Sequence, residues 1–391
     1  MTDSARRTHE CIFRVRYVDE LVRLFPAVDP AVEKAFRAVD RADFVSGFFV
    51  RQGARWSWLT AGRPLTAEAA GWIYANRPLV TVIGLNGAPA SSSSMPGLMM
   101  AMLDALAVEE GMRVLEIGTG TGYNAALLAR LAGASGHVVT IETDSELAAT
   151  AAERLGALGF TTVDVVGGDG ADGHLPGAPY DRLVATAGCR VVPGTWWDQL
   201  SGGGRALVPL SHGATYPLTE LVPEPRRGSW TGRLAGPANF MGATGAGLGG
   251  DVPPYEAVRL PAAEAVAEED LGVEPDRLAD LFFFAGLDVP DARAVRLSGG
   301  SLGRKLVAGL GLPATEGAAL LCGTSLYVGG TAHSAADRLR KAVEHWHSCG
   351  RPALGQYRLR LGPPGGPRGD GHSWRFRRGP AEQVVELAEG R

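Results

Sequence analysis

Between Glu116 and Asn124 the chain reads EIGTGTGYN, with glycines at 118, 120 and 122. Glycine suits a backbone that turns sharply out of a strand and lets a ligand approach without a Cβ in the way. A dinucleotide fingerprint would set its third glycine at 123, and that position is Tyr123. Two later carboxylates narrow the chemistry. Glu142 ends HVVTIE, twenty residues after Gly122, where a carboxylate can accept both hydroxyls of a ribose. Asp169, in GGDG, is placed to meet an adenine amino group, and Gly170 leaves room for the ring. Glu116 would repel a pyrophosphate and tolerate a cationic amino-acid tail. Together Glu116, Gly118, Gly120, Gly122, Tyr123, Glu142, Asp169 and Gly170 favour S-adenosylmethionine over NAD as the cofactor. The bland alternative is a Rossmann-like domain that binds nothing.

These residues need strand ends to hold them. RVLEIG reads as a buried strand, TGYNAALLARLAG as a helix, HVVTIE as a strand and DSELAATAAERLGALG as a helix; VDVVGGDG, DRLVATAG and RALVPL supply three more strands. Strands alternating with helices predict a doubly wound α/β domain with a mostly parallel sheet. Right-handed crossovers then bring the loops after each strand to one edge, where ligands bind. Upstream, DPAVEKAFRAV offers Asp29 as a helix cap and Pro30 at its first turn. Residues 66–84 hold a second amphipathic piece followed by the strand-like LVTVIG. The tract SSSS at 91–94 then leads into PGLMMAMLDALAV, a buried-looking helix. Past about residue 245 the rhythm is lost: LADLFFFAGL and HSAADRLRKAVEHWHSCG read as helices, QYRLRL and SWRFRR as strands around the Gly/Pro-rich LGPPGGPRGDG. Three parts are expected: a helical segment at 1–75, the cofactor domain at 76–248, and an α+β extension at 249–391.

The composition excludes several classes. A chain of 391 residues, 45% hydrophobic and 20% charged with a formal charge of −4, carries no global signal for nucleic acid or membrane. The charged first thirty residues, including Arg6 and Arg7, hold no apolar h-region. No run reaches the ~18 apolar residues of a membrane helix. Four cysteines, Cys11, Cys189, Cys322 and Cys349, stand without CxxC spacing, which argues against a zinc site and fits a reducing cytosol. Neither a metal nor an oligomeric state is indicated.

The succession SSSSMP, VLEIGTGTGYNAALLA, HVVTIE, VVGGDG, APYDRLVATAG and LVPL resembles the protein L-isoaspartate (D-aspartate) O-methyltransferases over roughly residues 25–245. The SSSS form, the GTGTGYNAALLA wording and the extension are more similar to the subgroup associated with ribosomally made, modified peptides such as lanthipeptides, lasso peptides and graspetides. The resemblance implies a Rossmann-like class I methyltransferase fold and carboxyl O-methylation of an Asp or isoAsp side chain in a peptide or protein. The ester then closes to a succinimide, which opens to Asp or isoAsp. It also implies that Ser94 lies beside the transferred methyl and the acceptor carboxylate, with Ser91, Ser92 and Ser93 lining the cofactor's methionine part. Here Met95 replaces the family's usual polar or small residue. The alternative for Ser94 is a plain N-cap of the helix near Pro96. General isoaspartyl repair and a catalytically silent peptide-binding scaffold are the competing functions, and the extension is expected to weigh against repair by offering surface to a larger peptide.

Other residues attract weaker readings. Cys189 follows RLVATAG with no His in the motif and is read as packing. His333, His345 and His347 share a helix, but 345 and 347 face apart, poor spacing for a metal. Trp196 and Trp197 suit a cleft rim or the core equally. Residues 251–291 carry eleven acidic side chains against two Arg, and residues 351–380 seven Arg against one Asp; both are read chiefly as solvated faces.

Overall fold

A computed structural model describes residues 3–388 apart from 54, 86, 239, 245, 250–254, 304 and 366–371, with backbone alone for 3–11 and 246. Arg6, Arg7, the Cys11 side chain, Asp251 and the GPRGDG end of the Gly/Pro-rich stretch lie outside this description. The chain divides into two units, Met1–Ala187 with Pro193–Leu207, and Gly188–Val192 with Val208–Arg391.

In the first unit, α1 (Asp3–Leu24) precedes α2 (Pro30–Ala38). The carboxylate of Asp29 accepts the Ala31 N–H at 2.7 Å, and Pro30 takes the first turn, so the capping residues start the helix where the sequence expects it. Its apolar face buries Val32, Ala35 and Phe36. Strands β1 (Gly47–Gln52) and β2 (Arg55–Thr60), helix α3 (Ala67–Ile73), and strands β3 (Leu79–Ile83) and β4 (Pro89–Ser93) follow, with the strands in the antiparallel order β2-β1-β3-β4. Three of the four serines therefore belong to a strand, paired Ser91 to Val82, Ser92 to Val80 and Ser93 to Leu79. Successive strand side chains point to opposite faces, and Ser91 and Ser93 are buried while Ser92 and Ser94 are half-buried.

Next come α4 (Pro96–Leu106), β5 (Arg113–Ile117), α5 (Tyr123–Ala132), β6 (His137–Glu142), α6 (Ser145–Ala157), β7 (Val163–Gly167), β8 (Tyr180–Ala185), α7 (Gly194–Gln199) and β9 (Leu200–Pro209). The strands are parallel in the order β9-β8-β5-β6-β7, the doubly wound arrangement read from the alternation. Val114, Leu115, Ile117, Val138, Val139 and Ile141 are buried, as strands covered on both faces require. The order reverses beside β5, so the crevice for a ligand opens at the carboxyl end of β5.

The second unit holds β10 (Leu218–Pro223), β11 (Trp230–Gly236), β12 (Glu256–Leu260), β13 (Val266–Asp270), α8 (Leu278–Asp288), β14 (Arg293–Gly299), β15 (Leu306–Ala314), β16 (Gly317–Cys322), β17 (Ser325–Gly330), α9 (His333–Ser348), β18 (Tyr357–Gly362), β19 (Ser373–Arg378) and β20 (Ala381–Leu387). One antiparallel group runs β19-β20-β18-β11-β10, and a six-stranded sheet runs β12-β14-β15-β16-β17-β13. Leu260, Val295, Leu297, Val307, Ala318, Leu320 and Tyr327 form a core cluster on the latter. The contacts do not divide the chain at 75/76 or 248/249. β11 pairs with β18, Trp230 opposite Leu361, so a cut after 248 would separate two strands of one sheet. The strands β12–β17 escape sequence reading because glycine, ordinarily a loop signal, is required inside them: a Cβ on Gly309 would lie 1.8 Å from the Leu321 carbonyl oxygen. No helix among the described residues is long and apolar enough to cross a membrane.

Candidate active site

The glycine loop leaves β5 with Gly118, Gly120 and Gly122 all at positive φ, +100°, +52° and +83°. The Gly118 N–H donates to the Ile141 carbonyl at 2.8 Å, tying the loop to the end of β6. There Glu142 Oε2 accepts the Gly120 N–H at 2.8 Å, which aims a half-buried carboxylate along the loop. A Cβ on Gly120 would stand 3.6 Å from the Ser92 carbonyl oxygen and 3.9 Å from Ser91 Oγ, filling the space between loop and serine strand. One on Gly118 would stand 2.6 Å from Thr186 Oγ1. Gly122 does different work: its Cβ position faces Leu155 and Ala151 of α6, so this glycine serves helix packing.

The third carboxylate joins from β7. Gly168 N–H donates to the Glu142 carbonyl at 2.9 Å, and Asp169 follows directly, one of its oxygens accepting Ala171 N–H at 2.9 Å. The Asp169 turn is braced from α7: Trp196 Nε1 donates to the Gly170 carbonyl at 2.8 Å, Thr195 Oγ1 to Ala171, and Gln199 Nε2 to Asp172 at 2.8 Å. Trp196 is therefore core, and its indole N–H explains why a buried tryptophan stands there.

Two expected cofactor residues lie elsewhere. Tyr123 is buried, with its ring against Phe36 and Phe44, centroids 6.3 and 5.4 Å apart; it is a core aromatic at the start of α5. Glu116 is 0% exposed, and both its oxygens are taken, by Asn124 Nδ2 and Thr140 Oγ1 at 2.7 Å each. Burial pushes its carboxyl up to about 7, against the pull of those two donors. These bonds tie the end of β5 to α5 and β6.

Ser94 is not the cap of α4. That helix starts at Pro96 with Met95 in the cap position and no side-chain cap, and its Gly97 N–H is satisfied instead by Asn76 Oδ1 at 2.8 Å. The Ser94 backbone is held by Arg41, a residue without any local mark in the sequence. Arg41 is 1% exposed, and its guanidinium donates to the carbonyls of Ile73, Ala75, Arg77, Ser93 and Ser94 at 2.9–3.3 Å, and to Ser93 Oγ at 3.4 Å. None of these partners is a carboxylate. Burial lowers its pKa, and the carbonyls just past the end of α3, where the helix dipole is negative, compensate the cation. Arg41 thus pins the serine strand to the turn after α3.

Cys189 and the Arg-rich stretch are accounted for by packing and ion pairing. Burial pushes the Cys189 thiol up to about 12, as suits packing. Of the Arg-rich stretch, Arg351 pairs with Glu274, Arg360 with Glu386 at 3.7 Å and Arg375 with Glu382 at 2.9 Å, while Arg378 is bonded to Gln383. These pairs neutralise part of the charge of the stretch.

A model of the protein-L-isoaspartate(D-aspartate) O-methyltransferase family matches residues 18–224, more than half of the 391. The chain belongs to this family. Its protein-L-isoaspartate O-methyltransferase relatives include those of Ignicoccus hospitalis, 45% identical over 123 residues (32% of this chain, 58% of the relative), and Thermotoga maritima, 36% over 184 (47% and 51%). The match to these two spans only about half to three-fifths of their length. The enzyme of Methanococcoides burtonii is 36% identical over 177 residues, 45% of this chain and 83% of the relative. A solved structure named protein-L-isoaspartate O-methyltransferase matches with a TM-score of 0.52 at 24% identity, covering 89% of this chain and 96% of that one. The fold is accordingly the Rossmann-like α/β fold of class I methyltransferases.

Proposed function

We propose that this family member is an S-adenosylmethionine-dependent carboxyl O-methyltransferase acting on an aspartyl or isoaspartyl side chain of a polypeptide. One observation carries the reading: the Glu142 carboxylate, fixed by the Gly120 N–H, stands beside a glycine loop in which the absent Cβ of Gly120 leaves space facing the serine strand. The residues fit the cofactor. Glu142 would accept the ribose hydroxyls, Asp169 has a carboxylate oxygen to spare for an adenine amino group, and the Ser91–Ser92 backbone borders the methionine part. When bound, S-adenosylmethionine supplies an electrophilic methyl group.

The chain's own task is positioning. The acceptor carboxyl, with an ordinary pKa near ~4, is already ionised at neutral pH, so no general base is needed. Ser94, its backbone held by Arg41, would orient that carboxylate in line, and proximity supplies much of the rate. Glu142→Ala removes an ionised acceptor worth about 1.5–3 kcal/mol per hydrogen bond, so S-adenosylhomocysteine affinity is expected to fall roughly ten- to a hundredfold by calorimetry. Unchanged affinity would remove Glu142 from the site. Ser94→Ala is expected to lower turnover several-fold with little change in melting temperature, since Ser94 caps no helix. Normal turnover in that variant would end its assignment as the acceptor-orienting residue.

A narrower reading, maturation of a ribosomal peptide, draws support from Met95, an apolar side chain 37% exposed beside Ser94 that suits an apolar peptide neighbour. The extension no longer separates this from repair, because a structure bearing the isoaspartate methyltransferase name matches over 89% of the chain. Mass spectrometry decides between them. Gain of one CH2, or loss of water, on an ordinary Asp of a precursor peptide supports maturation; activity confined to isoaspartyl peptides supports repair.

A further inference from the structure

The second unit brings together three side chains of metal-ligating type, two from one helix turn and the third from a separate segment. His345 and Cys349 lie one turn apart at the end of α9, where the Cys349 N–H donates to the His345 carbonyl at 2.9 Å, so both face the same side. His372, just before β19, closes on them: the His345 and His372 rings stand 5.4 Å apart, and the ligand atoms of all three residues lie within 4.8 Å of one another. We propose that His345, Cys349 and His372 form a binding site for a divalent metal ion of the Zn2+ type, with Asp288 as the carboxylate that orients His345.

Several features support it. Imidazole and thiolate are the donor set that borderline ions such as Zn2+ select over Mg2+ or Ca2+. A tetrahedral Zn2+ with bonds of about 2.0–2.3 Å holds its ligand atoms roughly 3.3–3.8 Å apart, so the three atoms need close by only about 1 Å. Asp288 bonds His345 Nδ1 through Oδ2 and accepts Trp374 Nε1 through Oδ1 at 2.9 Å, which fixes the ring and leaves Nε2 to ligate. Carboxylate–histidine–metal chains are how such sites are commonly built. The Phe284 ring, edge-on to His345 at 5.1 Å, holds it from another side. Finally, Cys349 and His345 are half-buried and His372 is exposed, so an ion can enter and water can complete the fourth position. A thiolate and the Asp288 carboxylate balance a 2+ charge. Sequence reading missed the site because it compared His345 with His347, two residues along the helix, whereas the partners are four along and in a different strand segment.

The test uses the full chain without an affinity tag and with Co2+ as the probe. One equivalent should bind with a near-ultraviolet thiolate-to-cobalt band, which Cys349→Ser abolishes and Cys322→Ser leaves intact. Competition with Zn2+ should show Zn2+ affinity at least tenfold weaker in His372→Ala and about 10–100-fold weaker in Asp288→Asn. Zn2+ should raise the melting temperature of the wild type but not of Cys349→Ser. Absence of the thiolate band in the wild type, its survival in Cys349→Ser, or unchanged affinity in His372→Ala would each overturn the site.

Discussion

Arg41→Ala is expected to destabilise the first unit by about 3–5 kcal/mol, because several buried carbonyls lose their donor at roughly 1–3 kcal/mol each and water can reach only some of them. The guanidinium serves five carbonyls and Ser93 Oγ. The side chain is fully buried, so its removal also leaves a cavity between the turn after α3 and the serine strand. Arg41→Lys should recover only part of the loss, since an ammonium has three donors on one atom and cannot span the same carbonyls. Because the Ser94 carbonyl is among the partners, turnover should fall in both variants even where they remain folded. Denaturant titration of the three proteins measures the first effect, and a loss below about 1 kcal/mol for Arg41→Ala would show that water satisfies those carbonyls.

Glu116→Gln is expected to flatten the pH dependence of stability. The carboxyl sits at about 7 in the folded protein against an ordinary value of 4.5, chiefly through burial. Between those values the native state holds a proton that the unfolded chain has released, so wild-type stability falls as pH rises through this window. Below it both states are protonated, and above it the full cost of a buried charge is present. At about 1.4 kcal/mol per pH unit, the contribution amounts to roughly 3 kcal/mol. Glutamine does not titrate, keeps an oxygen for Asn124 and can donate to Thr140, so stability of the variant relative to wild type should rise by that amount from pH 4.5 to 8. Parallel profiles for the two proteins would mean that Glu116 stays ionised in the folded state.

The parallel α/β core was legible because its signals are local. Buried strands of β5 and β6 are continuous apolar runs, Asp29 and Pro30 announce a helix start, and a strand–glycine loop–helix order needs no knowledge of distant contacts. Gly118, Gly120, Glu142 and Asp169 could be picked out for the same reason: a strand end dictates where the next residue points, and a parallel sheet brings its strand ends to one edge. What the chain order alone could not decide was which face a residue serves. Tyr123 and Glu116 flank the glycine loop in sequence yet pack beneath it, one among aromatic rings and the other between Thr140 and Asn124. Four adjacent serines suggest one cluster, and strand pairing sends alternate hydroxyls to opposite sides. Arg41 carries no local mark at all, because its acceptors are backbone carbonyls 32–53 residues away, which any sequence could supply. His345 and Cys349 are one helical turn apart in the sequence, but His372 reaches them only through packing. Residue types and periodicity determine the elements and their capping, but long-range hydrogen bonds and ligand sets arise only when packing sets separate segments a few ångströms apart.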